Sequence, residues 1–182
     1  MKRLLFSLLA LCLILALMSG CTERMSAAES ALIAVKEMDL AALSSCVTPE
    51  TQAQITRMRG TYEALDETER ATLVRLYAQI RYTIVGTTDT ADGGRTVTVT
   101  AKLPDMSRVR TLANAQIVFG KTANESVTEI LDGGKVDVRD VTWEIVLAKH
   151  DGEWLVCYDE KINGAWIADL GLTEMLAFFA KH

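Results

Sequence analysis

Histidine and proline are nearly absent: two of each occur in 182 residues, and aromatic side chains make up 6%. His150 precedes an Asp-Gly turn and His182 is the last residue. A nucleophile therefore lacks its usual base, and no Gly-x-Ser-x-Gly elbow is present. The four cysteines contain no Cys-x-x-Cys pair, so the sequence predicts no zinc site and no other metal. Asp92-Gly93-Gly94-Arg95 and Asp132-Gly133-Gly134-Lys135 lack Walker spacing and read as turns. Asp89 and Asp92 lack the alternating oxygen ligands and terminal glutamate of a calcium loop. Asp137, Asp140 and Glu144 read as the solvated side of a strand. No cofactor is expected. An excess of positive charge is missing too: 19 Lys and Arg face 24 Asp and Glu, a net charge of -5. Such a balance disfavours nucleic acid as a partner.

What the sequence does contain is concentrated at its start. Lys2 and Arg3 precede an apolar run from Leu4 to Met18, with Ser7 inside it, and then Ser19-Gly20-Cys21. Basic start, short apolar stretch and small residues define a secretory signal. Cysteine directly after the small residues resembles a bacterial lipoprotein signal with its lipobox, Met18 standing where leucine is usual. The resemblance implies diacylglyceryl transfer to the Cys21 sulfur, cleavage between Gly20 and Cys21 and, often, acylation of the new amine. An uncleaved span is disfavoured, because the run gives roughly 22 Å of helix against a hydrocarbon layer of roughly 30 Å. Residues 1–20 are thus expected to be a signal peptide and 21–25 a lipidated cysteine with a short tether, leaving a single domain over 26–182. The expected location is the extracytoplasmic face of the cell membrane.

Without Lys2 and Arg3, 17 basic residues face 24 acidic ones, so the mature net charge is 17 - 24 = -7. Anionic headgroups repel that surface, so attachment is assigned to the lipid on Cys21. The tether reaches about 15 Å when extended, which keeps the domain close to the bilayer. With Cys12 in the signal and Cys21 lipidated, Cys46 and Cys157 remain. Export permits a disulfide between them; each also suits a small buried hydrophobe, and both readings stand.

Ser26 with Glu29 forms a capping-box pattern, and Ala28, Leu32 and Val35 recur at helical spacing. Asp39 opens a short helix over 40–46. Thr48-Pro49 starts another, expected to end near Arg59 before Gly60. Asp66 and Glu69 cap a fourth that carries Leu73, Leu76 and Tyr77. From Arg81 the period falls to two, predicting a hairpin turned at 91–94. Helical spacing returns over 105–132. A second hairpin follows, with Trp143, Ile145 and Leu147 on one strand and Trp154, Val156 and Tyr158 on the next. A short helix after Gly171 ends the chain.

Helices before a curved antiparallel sheet of about four strands, with a helical insert between two hairpins, make an α+β domain. With Met38-Asp39-Leu40-Ala41-Ala42-Leu43, Val141-Thr142-Trp143-Glu144-Ile145 and Asp151-Gly152-Glu153-Trp154-Leu155-Val156, the chain resembles small bacterial lipoproteins of nuclear transport factor 2-like, or cystatin-like, cone fold. That resemblance implies a binding or interaction module of the cell envelope, not an enzyme, taking an envelope protein or a small apolar ligand. A ligand would need an open cavity lined by Tyr82, Trp143 and Tyr158, with the insert as a lid. A pure interaction module would need a filled core and an exposed apolar patch, for which Met106, Val109 and Ile117 are the candidates. The alternative is an isomerase- or lyase-like enzyme, drawing on Tyr82, Tyr158 and Asp159, which requires a buried carboxylate hydrogen-bonded to a tyrosine.

Overall fold

Capping explains where the helices begin. In the computed structural model, which describes residues 26–91 and 93–181, Ser26 accepts the Glu29 N–H at the start of α1 (Ala27–Glu37), and Asp39 accepts the Ala42 N–H at the start of α2 (Leu40–Cys46). The expected signal, its expected cleavage position at Gly20 and Cys21, and the expected tether lie outside the described residues. Pro49 opens α3 (Pro49–Ala64). This helix runs on through Gly60, where the sequence had suggested a stop. Gly60 has nothing within 4 Å of where a side chain would start, and a helical glycine there costs only about 1 kcal/mol, too little to end a helix already packed through Ile55 and Met58. A reciprocal Asp66–Glu69 box opens α4 (Glu67–Tyr77).

The sheet is a four-stranded antiparallel meander, β1 (Arg81–Asp89), β2 (Arg95–Pro104), β3 (Val138–His150) and β4 (Glu153–Val156), in sequence order. Alternation decides its faces. Val97, Val99, Ala101 and Leu103 of β2 are buried with Trp143, Ile145 and Leu147 of β3, while Thr83, Thr100, Lys102, Thr142 and Glu144 are exposed on the other side. Helices α1 and α4 pack on the buried face. Val85 is an extra residue in β1 between the Ile84–Val99 and Gly86–Thr98 pairs, a bulge, and is itself exposed.

Between β2 and β3 come α5 (Met106–Ile117) and α6 (Ala123–Asp132). They pack on each other, on α4 and on the last helix. Met106, Val109, Ala113, Val127 and Ile130 are all buried, and Thr72 of α4 donates to Asn124 of α6 at 2.5 Å. The insert is therefore part of the core, not a lid over it.

Two helices close the chain, α7 (Glu160–Leu170) and α8 (Leu172–Lys181). The sequence pattern predicts α8 but not α7. Its alternation also extends the last strand to Tyr158, whereas β4 ends at Val156 and Asp159 caps α7. Gly171 joins the two helices at φ +54°, and a Cβ there would stand 3.2 Å from the Met106 Cβ. Gly171→Ala is expected to lower stability by about 1–2 kcal/mol, the left-handed cost plus a tight contact, measured by urea unfolding. Among the described residues no helix is long and apolar enough to cross a membrane.

Candidate functional site

The three residues expected to line one cavity do not meet in one. Trp143 and Tyr158 are 1% and 0% exposed. Trp143 donates its indole N–H to Asp169 at 2.8 Å, and the Tyr158 ring packs edge-on against Trp166 with centroids 5.5 Å apart. Both belong to the core. Tyr82 instead borders a shallow depression of about 400 Å³ with Arg81, Thr83, Thr100 and Lys102. Partial burial raises its pKa, with smaller contributions from Glu29 and Glu37.

The acid–tyrosine pair needed for proton transfer is also not formed by these side chains. Tyr77 donates to the Leu170 carbonyl at 3.0 Å, and the Tyr158 hydroxyl has no hydrogen-bond partner among the described residues. Desolvation pushes both phenols well above their ordinary value, which keeps them neutral. Asp159 is spent capping α7, accepting the Lys161 N–H at 2.7 Å. Cys46 and Cys157 are free thiols in the structure, and burial raises the pKa of each. Neither has the lowered pKa of a reactive thiolate.

Two surface features among the described residues bear on binding. The first is an apolar tip. Met106 and Val109 are buried and Ile117 is partly buried, so the expected patch does not form there. The exposure falls on the next two residues instead: Val118 and Phe119, between α5 and α6, are 81% and 87% exposed. Periodicity could not separate Val118 from the apolar positions before it, because the helix ends at Ile117 and its last turn is closed by the Val118 N–H donating to the Asn114 carbonyl.

The second feature is a groove of about 460 Å³ at the turn end of the sheet, on the helix-covered side. The cap Ser26 and Ser30 of α1, Cys46 of α2, Arg95 and Trp154 border it. Arg95 pairs with Asp89 at 2.6 Å and lies 4.4 Å from the Trp154 ring centre, and the Lys149 ammonium lies 5.9 Å from it. Hydrogen bonding from Arg95 holds the Asp89 carboxyl below its ordinary pKa. The sequence showed Trp154 only as a strand residue; its cationic neighbours come from the register that pairs Lys149 with Trp154.

Against this geometry, comparison with known protein families, with curated proteins and with solved structures finds no match.

Proposed function

We propose that this chain is a lipid-anchored, extracytoplasmic lipoprotein whose domain acts as a non-enzymatic interaction module of the cell envelope. The lipobox-like Ser19-Gly20-Cys21 supports the anchor. The observation that carries the module is the contrast between a filled interior and an apolar tip. The three would-be pocket residues are dispersed, and Val118 and Phe119 stand side by side in solvent. An exposed phenylalanine is of the residue type that interface cores favour, and the valine beside it extends the apolar surface. The depression at Tyr82 and the groove at Trp154 are shallow surface features, and the isomerase- or lyase-like alternative finds no acid–tyrosine hydrogen bond among the described residues.

The test is a photo-crosslinking amino acid at position 119 in the native envelope, with position 100 on the open sheet face as control. The expected result is a discrete adduct from 119 and none from 100. Phe119→Ser should leave the unfolding free energy unchanged within about 0.5 kcal/mol, as for exposed sites generally, while a crosslinker placed at 118 loses its adduct. Equal labelling from 100 and 119 would remove the tip from consideration.

A further inference from the structure

We propose that the groove end of the domain is its bilayer-facing surface, with Trp154 seated in the headgroup layer of the membrane that holds Cys21. This rests on the anchoring reading above and adds the orientation. Chain lengths set the orientation. Ser26 sits on the groove rim with Arg95 and Trp154, and only residues 22–25 separate it from Cys21. That linker extends to about 15 Å. From Arg95 at the groove end to Pro104 at the other, β2 makes nine steps, about 30 Å at the usual rise of a strand. A chain that enters the domain at the groove cannot carry the far end of the sheet to the lipid.

The side chains at that end suit the location. Of three tryptophans, Trp143 and Trp166 are 1% exposed, and Trp154 alone is partly open to solvent. An indole flanked by a guanidinium and an ammonium has the aromatic body and cationic fringe of side chains that settle at membrane interfaces. The same end also carries Asp89, Asp151 and Glu153. These acids more than offset Arg95 and Lys149, so the contact is with the zwitterionic glycerol and headgroup layer and does not draw on anionic lipid.

The lipidated protein extracted from its membrane is reconstituted into phosphatidylcholine vesicles with and without bromine on the upper acyl carbons, and tryptophan emission is recorded. Brominated lipid is expected to remove the Trp154 share of the emission from the wild type and to leave Trp154→Phe unchanged. Reconstitution is also expected to reduce quenching of the wild type by aqueous iodide, which needs no variant. Intact mass, read on the same sample, separates the two levels of inference. Diacylglycerol on Cys21 without bromine quenching, or with equal quenching in Trp154→Phe, overturns the orientation alone. A bare Cys21 overturns the anchor and the orientation with it.

Discussion

Asn163→Leu is expected to destabilise the domain by about 3–5 kcal/mol, because it leaves the Val146 N–H with nothing to bind and takes an amide donor from two carbonyls. Asn163 is 2% exposed. Its carboxamide oxygen accepts the Val146 N–H at 2.9 Å, and its amide nitrogen donates to the Val146 and Cys157 carbonyls at 3.1 and 2.6 Å. Those contacts are what a neighbouring strand would supply. β4 pairs with β3 only from Leu147 to His150, and one step beyond, a side chain takes over the ladder. The helix gives way to allow it: Asn163 has φ -115° and ψ 28° inside α7. Leucine shares the branched shape of asparagine, with bulkier ends, and none of its hydrogen-bonding chemistry. The Val146 N–H then has no acceptor, and the Val146 carbonyl keeps only its 3.3 Å bond from Cys157. Asn163→Asp is expected to be no milder at neutral pH, since a carboxylate would face two carbonyl oxygens. Chemical denaturation gives the free energies, and hydrogen exchange at Val146 shows whether the loss is local to this junction. A change below about 0.5 kcal/mol for Asn163→Leu, the size of an ordinary surface substitution, would mean that the amide is not holding the edge.

Asp169→Ala is expected to cost about 2–3 kcal/mol. One carboxylate oxygen accepts the Trp143 indole N–H at 2.8 Å, and the other faces Arg139 Nη2 at 3.0 Å. The tryptophan is buried, so its orphaned N–H supplies most of the effect. Arg139 keeps 39% of its side-chain surface, and water replaces much of that ion pair. A double-mutant cycle separates the two. In a Trp143→Phe background, which has no N–H to strand, Asp169→Ala should lose most of its effect, whereas an Arg139→Gln background should preserve it.

These two side chains also mark where sequence reasoning ran short. The strands were legible from the alternation of Thr96, Thr98 and Thr100 with Val97, Val99 and Ala101, and most helix starts from Ser26, Asp39, Pro49 and Asp66. These signals are local. Helix α7 escaped because Asn163 occupies the core-facing position that an apolar residue would normally fill. Gly164 beside it lowers helix propensity, and Ile162, the residue that looks apolar, is 52% exposed. Its usable signals were Asp159 as a cap and the Trp166, Ile167, Leu170 spacing. The candidate pocket failed for a different reason. Tyr82, Trp143 and Tyr158 share only a residue type, and tertiary packing alone decides whether aromatics line a space or fill it. Met106 likewise lies against Gly171, more than sixty residues away in sequence. What sequence could not show at the groove was the cross-strand register that lays Arg95 and Lys149 against Trp154.

The margins of the sheet carry one more implication. At one side the ladder is finished by an amide where a backbone would have stood, and Val47 pairs in parallel with Val156 to cover the short last strand. At the other, the kink at Val85 breaks the even row of donors and acceptors that an incoming chain would need. Neither rim offers a template for a fifth strand. Copies crowded together should therefore collide and part without knitting into fibres, and a variant that straightened the kink would be the one to watch for ribbons.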